Sequence, residues 1–186
     1  MLLGFFYKYK LLYKNKYRIG STRLKNWNYG SNGYYFITIC THNRKNYFGV
    51  IKNNEMILSD VGQLAQTHWD EIPKRFIYAS VDAYIIMPNH IHGIIRINKS
   101  GDCCKIDVKD AESKNVGGIT KNHNPMLQDN LSRIIRWYKG RVTFESRKIN
   151  SKFKWQSLFH DHIIRDDKAL SNIQKYIENN PQNYRG

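Results

Sequence analysis

No acidic residue precedes Glu55: the first 54 positions hold ten Lys or Arg and not one Asp or Glu. That region cannot balance its own charge, so it needs an anionic partner or a fully solvated surface. Cysteine is scarce as well. Cys103 and Cys104 are adjacent, Cys40 sits in an apolar run, and no C-x-x-C pair occurs. This excludes a disulfide framework and a zinc knuckle, and it suits a reducing cytoplasm. Long apolar runs are missing too. "MLLGFFYKYKLLYKNKY" opens like a signal peptide, but lysines break it from Lys8 onward. It is too short for a signal core or a membrane span. Residues 1–17 are therefore expected to be a basic, aromatic arm, poorly ordered by itself. H-E-x-x-H is absent, which excludes a zincin, and there is no internal repeat.

What is present is a 186-residue chain of net charge +15 with 41% apolar and 13% aromatic residues. Such a composition predicts one globular domain, residues 18–186. A second basic cluster, "RIIRWYKGRVTFESRKINSKFK", carries eight basic residues against one acidic. Clustered cations interleaved with Tyr, Trp and Phe fit phosphate neutralisation with base stacking. A solvated basic surface or affinity for anionic lipid would produce the same composition. The residues assigned to nucleic-acid contact are Arg18, Arg23, Arg133, Arg136, Lys139 and Arg141.

"YYFITICT" reads as a central strand, apolar on both faces. "SDVGQLAQTHWDEIP" reads as a helix capped by Ser59 and stopped by Pro73. "SVDAYIIM" and "HIHGIIRI" are strands joined tightly through Pro88 and Asn89, so they should pair antiparallel. Residues 99–126 are polar and aperiodic, which predicts a flexible insertion. From Leu131 a helical stripe runs through Ile134, Ile135, Tyr138, Val142 and Ile149, with basic residues mostly elsewhere. "FKWQSLFHDHIIRD" is expected to be a fourth strand, and "DDKALSNIQKYIENNP" a helix capped near Asp166 and ended by Pro181. The order β-α-β-β-α-β-α predicts an α+β fold: a ferredoxin-like split βαβ sandwich, an antiparallel sheet with helices on one face, plus a C-terminal helix.

In a strand, residues i and i+2 share a face about 6.5–7 Å apart. His90 and His92 can thus reach one ion together, and neutral imidazoles are competent ligands for divalent metals. Two hydrogen-bonded structural histidines would give the same pattern. The pair His160 and His162 shows how readily the spacing arises.

The blocks "YYFITICTHNRKNYFG", "DAYIIMPNHIHGII", "LSRIIRWYKGRVT", "WQSLFHDHIIRD" and "YIENNP" occur in this order. Together, from about Arg18 to Asn183, they resemble the single-tyrosine HUH transposases, in particular the REP-associated tyrosine transposase branch. The resemblance implies a metal-dependent endonuclease and strand transferase acting on single-stranded DNA, often beside a hairpin, through a 5′-phosphotyrosine link. It implies Tyr176 as nucleophile and His90, His92 and Asn180 as ligands of Mg²⁺ or Mn²⁺. Positions i and i+4 share a helix face, so Tyr176 and Asn180 would arrive together over the ion. Two imidazoles and one amide suit Mn²⁺ somewhat better than Mg²⁺. Relatives often carry a tyrosine pair where this chain has Phe159 and His160. Monomer and homodimer both stay open, as does a non-catalytic or domesticated protein that only binds DNA or RNA hairpins. An RNA-binding sheet would be expected to show an RNP1-like run, which is absent.

Overall fold

The computed structural model describes Leu24, residues 27–99 and residues 128–184. The N-terminal arm, Arg18, Arg23 and all but Lys99 of the predicted insertion lie outside the described residues.

Four strands form the main sheet: β1 (Gly33–Cys40), β4 (Ala79–Met87), β5 (His90–Ile97) and β6 (His160–Ile164). Their order is β4-β5-β1-β6, antiparallel at every seam. Helix α1 (Asp60–Asp70) links β1 to β4, and α3 (Leu131–Ile149) links β5 to β6. This is the expected ferredoxin-like split βαβ arrangement. A short α2 (Ile72–Arg75) follows α1, and α4 (Asp167–Glu178) ends the helical part of the chain.

Alternation divides the sheet into two chemistries. Tyr35, Ile37 and Ile39 of β1, with Ile91, Ile95 and Ile97 of β5, form one core with Val61, Ala65 and Trp69 of α1. Ile134, Ile135, Tyr138 and Val142 of α3 complete it. Gly93 lets α1 approach this closely, because a Cβ there would lie 2.3 Å from Trp69 Cζ2. The opposite face carries Ile94, Ile164 and Tyr34, covered by Ile173 and Ile177 of α4. Every long helix is capped by a side chain accepting from a first-turn amide: Ser59 from Gly62, Asn130 from Arg133, Asp166 from Ala169.

Four local expectations need correction. A hairpin, β2 (Gly49–Lys52) with β3 (Glu55–Leu58), precedes α1. It turns through Asn53 and Asn54, both left-handed (φ 51 and 63), the conformation a tight two-residue hairpin requires. Pro73 does not stop α1; it stands in the first turn of α2, where a missing N–H costs nothing. Ile149 is 54% exposed, and the buried place one turn after Val142 belongs to Ser146. The fourth strand is only five residues long. Before it, Phe153 is buried, Trp155 bridges to Thr41, and the Lys139 ammonium donates to the Gln156 and Leu158 carbonyls, both at 2.9 Å.

Candidate active site

The tight turn Pro88–Asn89 delivers β5 with His90 and His92 on the α4 face and Ile91 and Gly93 on the core face. Both imidazoles are buried, at 8% and 7% exposure, with ring centroids 4.6 Å apart. Each has its Nδ1 tied within the sheet and its turn. His90 Nδ1 meets Asn89 Oδ1 at 2.7 Å, and His92 Nδ1 meets Thr38 Oγ1 at 2.9 Å. Thr38 can do this because the β1–β5 register sets it directly opposite His92. An amide oxygen only accepts, so His90 carries its proton on Nδ1 and keeps a lone pair on Nε2.

Burial removes water from both rings and disfavours their charged forms. Desolvation, then the Arg44 cation, pushes His90 down to about 4. Desolvation, then His90 and Arg44, pushes His92 down to about 3. The two rings are therefore neutral at physiological pH, the form in which imidazole binds a metal.

Helix α4 brings Tyr176 over this pair. Its hydroxyl lies 3.3 Å from His92 Nε2. Phe36 braces both rings, stacking on His92 at 5.3 Å and meeting Tyr176 edge-on at 6.1 Å. Tyr176 as a residue is nonetheless 52% exposed. Asn180 follows in an α-helical backbone conformation just past the last residue of α4 and is buried. Its side chain makes no hydrogen bond to a described residue. Among the described residues, no cluster of three or more His, Cys, Asp or Glu is placed to hold a metal. The donors that the fold brings together are two neutral imidazoles, which suit a borderline divalent ion.

Two other tyrosines are differently engaged. Tyr138 is fully buried, donates to the Ala65 carbonyl at 2.9 Å, and has its phenol pushed well above the ordinary range by burial. The Tyr184 hydroxyl accepts from Asn89 Nδ2 at 3.0 Å and donates to Asn46 Oδ1.

The basic helix lies elsewhere. Because α3 packs on the core face, Arg133, Arg136, Lys139 and Arg141 stand on the far side of the sheet from the histidines. Arg133 pairs with Asp129, and Arg141 approaches Glu145 at 3.8 Å. Burial pushes the Lys139 ammonium down to about 8, and its two carbonyl partners commit it to the segment before β6. Arg136 is exposed. The cation felt by the histidines is Arg44, which the sequence does not single out. It sits in a one-turn 3₁₀ segment, His42–Arg44, where Asn43 and Arg44 are both left-handed (φ 52 and 53). Such backbone strain concentrates where a side chain must be aimed. Thr38 and Asn89 escape the sequence for a different reason: only the strand register and the turn reveal what they hold.

No protein-family model matches the chain. An uncharacterized protein of Haemophilus influenzae is 38% identical over 165 residues, 87% of this chain and 87% of its own. Among solved structures, the REP-associated tyrosine transposase bound to a REP hairpin superposes over 88% of this chain and 74% of its own, with TM-score 0.57 and 19% identity. At that identity the likeness is one of fold.

Proposed function

This chain belongs to one protein family with its Haemophilus influenzae relative, and we propose that it is a transposase-type endonuclease and strand transferase for single-stranded DNA. The observation that carries the reading is the Tyr176 hydroxyl held 3.3 Å from a buried, neutral imidazole on an otherwise accessible surface. The hairpin in the transposase of the same fold supports DNA beside a hairpin as the substrate class.

Tyr176 Oη attacks the scissile phosphorus. A P–Oη bond forms as the phenol gives up its proton, the P–O3′ bond breaks and the departing 3′ oxygen takes up a proton, so the products are a 5′-phosphotyrosine and a free 3′-hydroxyl. A second 3′-hydroxyl attacking the same phosphorus reverses the step and joins strands. His90, His92 and Asn180 would hold the divalent ion, Mg²⁺ or Mn²⁺, which supplies charge neutralisation at the phosphoryl oxygens. The chain's own residues do the positioning. Phe36 fixes the phenol ring, and Thr38 and Asn89 fix the imidazole orientations. Arg44 adds positive charge where a phosphate would arrive.

Full-length protein incubated with short hairpins carrying single-stranded flanks and Mn²⁺ should yield a species that survives denaturing electrophoresis and contains the 3′-labelled downstream strand, while a 5′ label leaves with the released upstream strand. Tight binding of the same hairpins with no covalent species would favour the non-catalytic hairpin-binding reading instead.

A further inference from the structure

We infer that Tyr184 is a positioning residue that sets the tautomer of His90 through Asn89. Three hydrogen bonds run in series and have one consistent polarity. The Tyr184 hydroxyl donates to Asn46 Oδ1 at 3.4 Å, Asn89 Nδ2 donates to the Tyr184 oxygen at 3.0 Å, and His90 Nδ1 meets Asn89 Oδ1 at 2.7 Å. Because the phenol proton is given to Asn46, the phenol oxygen must accept from Asn89. That requirement turns the amide's NH₂ toward Tyr184 and its oxygen toward His90. An amide oxygen can only accept, so the imidazole proton is held on Nδ1 and the Nε2 lone pair stays free.

The backbone of Asn89 cannot shift to compensate. Its carbonyl accepts from the Thr41 amide at 2.9 Å. Only the side-chain amide is left to rotate, and the phenol holds it. Without the Tyr184 hydroxyl, Asn89 can present NH₂ to His90 Nδ1 and stabilise the opposite tautomer, whose protonated Nε2 cannot ligate a metal. The ring of Tyr184 also sits 6.5 Å from that of His90, in the segment that directly continues α4. One side chain thus ties the end of the helix bearing Tyr176 to the loop that aims His90.

The consequence for metal binding rests on the proposed function, but the tautomer does not, so the two are measured separately. In metal-free, ¹⁵N-labelled full-length protein at pH 7.5, the imidazole nitrogen shifts of His90 should report a proton on Nδ1. In Tyr184→Phe, which keeps the ring and its packing, they should move toward Nε2–H. Mn²⁺ affinity should fall roughly tenfold, the low end of the loss typical of outer-shell partners. Adding Asn89→Asp to that variant should restore Nδ1–H, since a carboxylate only accepts. A purely structural role for Tyr184 would not be rescued this way. An unchanged His90 tautomer in Tyr184→Phe, or a double variant that does not recover it, would overturn the inference. A parent protein that bound no Mn²⁺ would count against the metal reading alone, because the tautomer comparison needs no metal.

Discussion

The Tyr176 hydroxyl and His92 Nε2 lie 3.3 Å apart, although 84 residues separate them in the chain. The pairing joins the outer helix to the central part of the sheet. It is possible because His92 lies near the start of a strand whose opposite face is fully packed, while Tyr176 occupies the accessible flank of α4.

The metal-free protein should lose stability on mild acidification. The sign follows from both imidazoles having folded pKa values, about 4 and about 3, below the ordinary 6.5. Between those limits the unfolded chain binds more protons, so stability is full above pH 6.5 and declines as pH falls toward 4. Urea unfolding at pH 7 and 5.5 should differ by about 1 kcal/mol for each imidazole. Combining His90→Asn with His92→Asn should largely remove the difference. A parent equally stable at both pH values would contradict the burial of these rings.

Gly93→Ala should destabilise the fold by about 1–3 kcal/mol, as overpacking does. The new methyl meets the Trp69 ring, which is fully buried and braced edge-on by Tyr138. Because residue 93 follows His92, Mn²⁺ affinity should fall as well. Denaturant midpoints and metal titration check both effects.

The arrangement of cations predicts two separable effects on DNA. Arg44→Gln should slow adduct formation about tenfold or more even on short unstructured strands, since both histidines feel the Arg44 charge. Replacing Arg133, Arg136 and Arg141 should instead weaken binding of long hairpin substrates and flatten their salt dependence, with little effect on short ones. The slope should drop by roughly one for each phosphate that is no longer neutralised. Equal effects of both changes on short strands would mean that DNA wraps the sheet differently.

His90→Ala and His92→Ala should each weaken Mn²⁺ binding at least tenfold, and Asn180→Ala less, because water can replace an amide oxygen as ligand. Calorimetric titration of the three variants ranks them. An Asn180→Ala protein as impaired as either histidine variant would give the amide a larger part than ligand chemistry suggests.

Much of the sheet was legible in the sequence because its strands carry strong alternation or dense β-branched and aromatic residues, as in "YYFITIC" and "HIHGIIRI". Helix α4 was legible from Asp166 and the spacing of Leu170, Ile173 and Ile177. The β2–β3 hairpin escaped because four-residue strands show little periodicity, and its Asn53–Asn54 turn lacks the usual glycine. A helical wheel identifies the basic face of α3 but cannot say on which side of the sheet the helix lies. Only the packing of α3 shows that Arg133 and Arg136 stand on the far side of the sheet from the histidines. Lys139 looked like one more phosphate ligand; only the path of residues 153–159 shows that its charge is spent on two carbonyls. Arg44 carried no signal beyond its charge, because its aim depends on a left-handed turn.

The most direct measurement of the central claim is the identity of the residue joined to DNA. Full-length protein and Tyr176→Phe are incubated with the same hairpin-flanked strand and Mn²⁺, and any covalent species is digested and the linked peptide sequenced by mass spectrometry. The expected result is a single modified peptide carrying the 5′ phosphate on Tyr176. Tyr176→Phe should fold and bind DNA and Mn²⁺ about as well as the parent, yet form no adduct, because the ring supplies packing and only the oxygen supplies the attack. A Tyr176→Phe protein that still forms the adduct, or a phosphate mapped to Tyr138 or Tyr184, would contradict it.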